Sequence, residues 1–252
     1  MKQPLLVCSD FDRTLKINNQ ISSSNLMAIK QLRALGHYFV INTGRSYQNF
    51  KEEMKNHDFK FDYAVCGSGS QIVDKDFNLL HAEAFERKVG IMLVREILDS
   101  QAQLIQFSSE STYQVYRRHE ASWNDQITES LPDLINTFSC RFHDPKDTEA
   151  FAQVLSKKEG FNAFINLNSI DIVGPRVSKA SGLSQLMTYL NQSFERVYTI
   201  GDGKNDVELV QSFNGYVVEN AVFSLKQVAK GKFKEVSGLI HQLLEQEKKD
   251  NH

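Results

Sequence analysis

The chain has little that would tie it to an oxidising, membrane or nucleic-acid setting. Its three cysteines, Cys8, Cys66 and Cys140, are odd in number, lie far apart and form no Cys-x-x-Cys pair. That excludes a disulfide framework and offers no zinc pattern. Prolines are few, at 4, and neither a repeat nor a low-complexity stretch occurs. No apolar run approaches the ~20 residues needed to cross a bilayer. The run Leu5-Leu6-Val7-Cys8 is too short for a signal-peptide core and meets Asp10 and Asp12 at once. Neither charge sign dominates, with 29 Lys+Arg against 31 Asp+Glu and a formal net of -2. Binding nucleic acid through bulk positive charge is thereby excluded, and an acidic disordered chain is unsupported. The expectation is a soluble, cytoplasmic globular protein with no nucleic-acid or membrane partner. A monomer suffices, and nothing in the sequence sets an oligomeric state.

What is present is an alternation of strand-like and helix-like segments across 252 residues, a length that allows one large domain or two modest ones. Leu5–Cys8, Tyr38–Ile41 and Tyr63–Cys66 read as buried strands, with helices predicted from about Ser24 to Leu35 and Ser46 to Asn56. Gln71–Asp74 and Leu79–Ala82 read as a hairpin. The rhythm resumes with a helix over Ser178–Leu190, a strand over Val197–Ile200, a helix near Asp206–Ser212, a strand over Gly215–Val218 and an amphipathic segment over Val236–Leu244. Residues 245–252 form a charged tail that is expected to fray. Strand–helix alternation predicts an α/β fold, a parallel sheet with helices on both faces. The middle differs. A helix over Lys88–Leu98, strands over Leu104–Phe107 and Tyr113–Tyr116, a helix over Thr148–Lys157, and strands over Ala163–Asn166 and Ile170–Val173 suggest an inserted α+β module. The expected organisation is a discontinuous core, 1–82 plus 177–252, with 83–176 as a second domain. The hinges are expected near 82–86 and 174–176.

Four polar clusters fall at strand ends, where parallel α/β sheets bind ligands. Asp10 and Asp12 are carboxylates two apart at the end of the first strand. They repel unless a cation or proton intervenes. A divalent metal would neutralise one while the other keeps a proton for acid catalysis; the plain alternative is a polar turn. In Gly201-Asp202-Gly203-Lys204-Asn205-Asp206, two glycines bracket an aspartate, allowing close backbone approach to an anion or metal. A simple helix cap accounts for Asn205 or Asp206 but not for the whole set. Thr43-Gly44 offers a hydroxyl and backbone N–H groups suited to phosphate, although such a pair also forms ordinary turns. Lys179 opens a helix, where a cation is disfavoured unless an anion is near; taken singly, it reads as a surface lysine. Together the clusters supply a carboxylate nucleophile, an acid/base, metal ligands, a hydroxyl and an ammonium, the inventory for phosphoryl transfer through an aspartyl phosphate.

The motifs DFDRTL at 10–15, NTGR at 42–45, VSK ending at Lys179, and GDGKND at 201–206 resemble the haloacid dehalogenase-like phosphatases. Their order and the long insert resemble in particular the Cof-type branch, subfamily IIB, with a large C2-type cap between the second and third motifs. The resemblance implies a Rossmann-like core with an inserted α+β cap, and a phosphatase of small phosphorylated metabolites such as sugar phosphates. It implies Asp10 as nucleophile and Asp12 as acid/base, with Thr43, Gly44, Lys179 and Asn205 holding the phosphoryl group. Mg²⁺ is implied at Asp10, the Asp12 carbonyl and Asp202, with Asp206 in support. Arg13 and Arg45 are placed at the substrate entrance. Two positions depart from the family: Arg13 stands where glycine is usual, and Ser68 where the branch has asparagine. A φ > 0 at Arg13 would cost ~1–2 kcal/mol. A phosphomutase on the same scaffold and a phospho-accepting module are the alternatives; a receiver module needs no such insert.

Other residues point less far. The histidines (His37, His57, His81, His119, His143, His241, His252) show no metal-binding spacing. His119 and His143 are expected at the surface of the insert. Trp123, Tyr113, Tyr116, Arg117 and Arg118 could grip a sugar or nucleotide, or simply form a core. Cys8 and Cys66 are expected to pack on adjacent strands.

Overall fold

The computed structural model describes residues 3–191, 194 and 196–249; His252 lies outside them. Its larger sheet has eight strands in the order Lys232–Phe233, Asn214–Val218, Val197–Gly201, Leu6–Asp10, Tyr38–Asn42, Tyr63–Cys66, Gln71–Asp74 and Leu79–Ala82. The first six run parallel, and the Gln71–Ala82 hairpin adds an antiparallel edge. Leu6–Asp10 lies in the middle and is buried throughout. Its side chains alternate between two cores. Val7 packs with Phe39, Ile41, Ile29, Leu32 and Leu239 on one face. Leu6 and Cys8 pack with Val40, Val65, Leu183 and Leu209 on the other. Cys8 and Cys66 are therefore not on adjacent strands, because Tyr38–Asn42 lies between theirs. All three thiols are buried, and burial pushes that of Cys8 up to about 12.

Helices on the two faces start where hydroxyl caps occur. Ser22 accepts from the N–H of Asn25 to open Ser23–Ala34, and Gly36, at φ +83, follows that helix. Ser178 and Ser181 form a reciprocal capping box that starts Lys179–Tyr189. The last helix runs Val236–Lys249, further than the charge pattern of residues 245–249 predicts. Glu247 explains the extension, because it holds His37 Nε2 at 2.7 Å and Arg196 at 3.1 Å.

A second sheet of five strands has the order Tyr113–Arg117, Leu104–Ser108, Thr137–Arg141, Ser169–Val173 and Asn162–Asn166. Thr137–Arg141, its central strand, is absent from the sequence reading. Its alternating Thr-Phe-Ser-Cys-Arg lacks a run of β-branched residues, and only Phe138 and Cys140 reach the core. Helices Arg87–Leu98 and Pro145–Leu155 cover one face of this sheet, burying Leu93, Ile97, Ile105, Phe107, Phe138 and Ile170 together. Tyr116 and Trp123 pack on that core, and His119 and His143 are exposed. No helix among the described residues is long and apolar enough to cross a membrane.

Candidate active site

The central strand, buried throughout, ends on Asp10 at the carboxyl edge of the larger sheet, where the residue is 6% exposed. Its neighbour across the sheet is Asn42, the last residue of the next strand. The Asn42 side-chain amide donates to the carbonyl of Lys179 at 2.9 Å and so fixes the start of the helix that carries the lysine. Lys179 is not the surface lysine that its isolated reading suggests. It is 1% exposed, and its ammonium donates to Asp10 Oδ1 at 2.6 Å and to Asp206 Oδ1 at 2.7 Å. Burial would lower the ammonium, but Asp10 and Asp206 outweigh it and hold the group charged.

Asp206 is fully buried, and its Oδ2 accepts the N–H groups of Asp202 and Gly203 at 3.1 and 2.9 Å. This tuck is why position 201 carries glycine: a Cβ there would stand 2.6 Å from the Asp206 carboxyl. Asp10, Asp202 and Asp206 thus bring carboxylate oxygens within 4.8 Å of one another. Burial raises Asp10 well above the usual carboxylate range despite Lys179, with Asp206 and Asp202 adding to the shift; burial and then Asp206 also raise Asp202. Among these three carboxylates the one buried ammonium bridges Asp10 and Asp206 alone, and Asp10 Oδ2 is buried with no hydrogen-bond partner. An all-oxygen donor set with surplus negative charge and an orphaned oxygen fits a hard divalent cation.

Asp12 is brought to the same edge, but its carboxylate lies outside that cluster. Arg45 grips it in a fork, Nε to Oδ2 at 2.6 Å and NH2 to Oδ1 at 2.9 Å, and Lys16 stands 3.2 Å from Oδ1. Burial acts to raise Asp12, yet Arg45 and Lys16 prevail and hold it below the usual range. Arg45 is itself anchored by Asn49 and Glu53, and Lys16 by Glu53. Lys16 lies on the short strand Lys16–Ile17, just past the 10–15 motif, and Asn49 and Glu53 lie within the helix Tyr47–Met54, so no motif marks these three. Arg13 occupies left-handed backbone at φ +68, so the strain foreseen for a non-glycine residue there is present. Its guanidinium lies 3.1 Å from Asp202 Oδ2. Ser68, at φ +51, is also left-handed.

These groups floor a cavity of about 550 Å³ between the two sheets, lined from the larger sheet by Asp10, Asp12, Arg13, Thr43, Asp202 and Asn205. The Thr43 hydroxyl oxygen accepts the Arg45 N–H at 3.2 Å, which leaves its proton free to donate. The N–H of Gly44 makes no hydrogen bond among the described residues. The second sheet forms the opposite wall with the face turned away from its own core. Register places Gln106, Ser139 and Asp171 in one cross-strand row, and Leu104, Arg141 and Ser169 in the next; all six line the cavity. Asp171 comes so close that a Cβ at Gly44 would stand 2.7 Å from its Oδ2, and burial pushes its carboxyl up to about 7. Neither row forms a motif in the sequence, because its members meet only through register. Their signal was polar residues alternating with Ile105, Phe107, Phe138 and Ile170. Of the aromatic and arginine set, Tyr113 alone reaches toward this site, bonding Asn49 and Gln106. Arg118 instead binds the carbonyls of Ser100 and Ala102.

A family model for haloacid dehalogenase-like hydrolases matches residues 7–237. The chain is 24% identical over 229 residues to the 5-amino-6-(5-phospho-D-ribitylamino)uracil phosphatase YcsE of Bacillus subtilis, covering 89% of this chain and 87% of that one. Among solved structures, a haloacid dehalogenase-like hydrolase from B. subtilis superposes with TM-score 0.80 at 17% identity, covering 94% of this chain and 99% of that one. The subclass IIB sugar phosphatase BT4131 superposes with TM-score 0.79 at 15% identity, covering 95% and 98%. With four ordered motifs converging on one sheet edge beneath a second sheet, the chain belongs to the haloacid dehalogenase-like hydrolases.

Proposed function

We propose that the protein is a Mg²⁺-dependent phosphatase of small phosphorylated metabolites, working through an aspartyl phosphate on Asp10. The observation that carries this reading is Asp10 Oδ2, a buried carboxylate oxygen without a partner at the floor of the cavity, with Oδ1 held by a buried lysine. Oδ2 attacks phosphorus, forming an O–P bond as the bond from phosphorus to the leaving alkoxide breaks. Lys179, the Thr43 hydroxyl, the Gly44 N–H and Asn205 hold the non-bridging oxygens. Asp12 gives the leaving oxygen its proton. It then takes one from the water that attacks the aspartyl phosphate, which releases inorganic phosphate and restores the Asp10 carboxylate. Held ionised by Arg45 and Lys16, Asp12 is set for the second of these tasks. For the first, Asp12 must take up a proton from solvent as Arg45 turns from it toward the anionic substrate in the cavity that it also lines.

Mg²⁺ would be held by the Asp10 carboxylate, the Asp12 carbonyl and Asp202, with Asp206 behind them. Bound there, it supplies the positive charge that offsets repulsion between Asp10 and a phosphoryl group. Residues 83–176 act as the cap, and the two connecting stretches run side by side, with Gly174 against Ala84. The cavity lining has no aromatic side chain among the described residues, and its cap wall is amide, hydroxyl, Arg141 and Asp171 beside two leucines, Leu104 and Leu167. That wall suits a hydroxyl-rich leaving group, a sugar or polyol phosphate, better than a stacked base. Release of phosphate from a panel of sugar and polyol phosphates tests the reading. Asp10→Asn should lower kcat by about 10³-fold or more, and chelation should abolish turnover until Mg²⁺ is restored. Full activity of Asp10→Asn would overturn the mechanism.

A further inference from the structure

Counting oxygens at the carboxylate cluster singles out Arg13. Asp206 has both oxygens engaged, Oδ1 by Lys179 and Oδ2 by two backbone N–H groups. Asp10 Oδ1 is taken by Lys179, and Asp202 Oδ1 accepts the Thr14 hydroxyl at 3.1 Å. Two buried oxygens have no hydrogen-bond donor, Asp10 Oδ2 and Asp202 Oδ2. The second of these is the one that Arg13 neutralises, as an ion pair at 3.1 Å that lacks hydrogen-bond geometry.

The Arg13 backbone is pinned in its left-handed turn. Its N–H donates to the Lys16 carbonyl at 2.7 Å, and its own carbonyl accepts from Asn220 Nδ2 at 2.9 Å. The guanidinium is therefore delivered to Asp202 by a fixed turn, yet its side chain is 38% exposed, against 1% for Lys179. The site thus has one cation that cannot leave and one that can.

We propose that Arg13 is a tethered, exchangeable counter-ion of Asp202, which a divalent cation must displace to bind. The chain would then hold its metal more weakly than the same site with an uncharged residue at position 13. This rests on the metal reading given under Proposed function, but it concerns binding and not turnover. A partly exposed ion pair of this kind opposes binding by a few-fold to about tenfold.

The test uses the full chain and its Arg13→Gly, Arg13→Gln and Arg13→Lys variants without substrate. Mn²⁺ serves as the probe, and free Mn²⁺ is read by electron paramagnetic resonance, with Mg²⁺ as competitor. The Gln variant keeps the strained turn and a side chain but removes the charge; the Gly variant removes both. Both should bind Mn²⁺ about five- to tenfold more tightly than the parent, and the Lys variant should stay near it. Raising salt should narrow the gap. Equal or weaker binding by Arg13→Gln overturns the proposal, as does tightening confined to Arg13→Gly, which would assign the effect to strain. Absence of Mn²⁺ binding in all four proteins overturns the metal reading as well, whereas equal, saturable binding in all four overturns the role of Arg13 alone.

Discussion

On the core side of the cavity, every carboxylate oxygen of Asp10, Asp12, Asp202 and Asp206 except Asp10 Oδ2 faces a donor or cation within 3.2 Å. On the cap side, Arg141 makes no ion pair and Asp171 no hydrogen bond among the described residues, although both line the same cavity. The first wall is organised before any ligand arrives, by strand ends, capped helices and a lysine whose charges are already matched. The second presents two charged side chains, Arg141 and Asp171, whose partners are still to come. A site with fixed charges lowers the cost of reorganisation when charge develops in a transition state. A wall with unsatisfied groups gains its interactions only on binding, which is how a variable leaving group is recognised. On the proposed function, chemistry falls to one wall and selection to the other, and substitutions on each should fail in different ways.

The largest expected effect is at Lys179. Replacing it by methionine keeps the volume but leaves Asp10 and Asp206 buried with no cation between them. Removing one partner of a buried charge cluster destabilises by about 3–5 kcal/mol. The phosphoryl group would lose a charge-assisted donor, so kcat should fall about 10³-fold. Urea unfolding and phosphate release, measured well below the melting temperature, separate the two losses. A variant as stable as the parent would show that the core wall is less integrated than its bond pattern says.

How much of this was legible follows the same division. Asp10, Asp12, Thr43, Gly44, Asp202, Asn205 and Asp206 sit in short runs after apolar strands, because a parallel sheet gathers its strand ends on one edge. Local sequence therefore reports the site directly. Lys179 needed the other motifs, since a lone lysine at a helix start looks exposed until two carboxylates from distant strands are placed around it. The edge strands beyond the parallel set were visible as a hairpin. Thr137–Arg141 was not, because a strand whose outer face lines a polar cavity carries hydrophobic residues only at every second position, and this one uses Phe and Cys there. Gln106, Ser139 and Asp171 come from three strands and become a set only through register. A residue-by-residue reading has no access to register, so the selecting wall stayed hidden while the reacting wall did not.

A milder break of the comparison is Arg141→Ala. The side chain is exposed on the rim of the cap wall, so stability should change by less than about 0.5 kcal/mol. If this wall selects the leaving group, KM for a sugar or polyol phosphate should rise about tenfold while kcat stays within roughly threefold. Steady-state kinetics over a substrate panel would read this. A fall in kcat with KM unchanged would instead move Arg141 to the reacting wall.

The smallest effect is also the most discriminating, because it concerns the one carboxyl on the cap wall. Asp171 faces the charges of Lys179, Arg141 and Asp12 and touches the Gly44 turn. Burial raises its pKa from 3.8 to about 7. The folded chain therefore holds this proton more tightly than the unfolded chain. Stability contributed by the group is fully present below about pH 4, falls as pH rises through 4 to 7, and is level above that. Asp171→Asn removes the titration without changing the shape. The stability of the variant relative to the parent should be flat below pH 4, climb between pH 4 and 7, and plateau at pH 8 about 1 kcal/mol above its low-pH value. The full shift is discounted here because the carboxyl lines a cavity that water can reach. Chemical denaturation of both proteins at pH 5 and pH 8 supplies the comparison. A difference that does not grow with pH would mean that Asp171 is already satisfied in the free protein, and the cap wall would then be as preorganised as the core wall opposite.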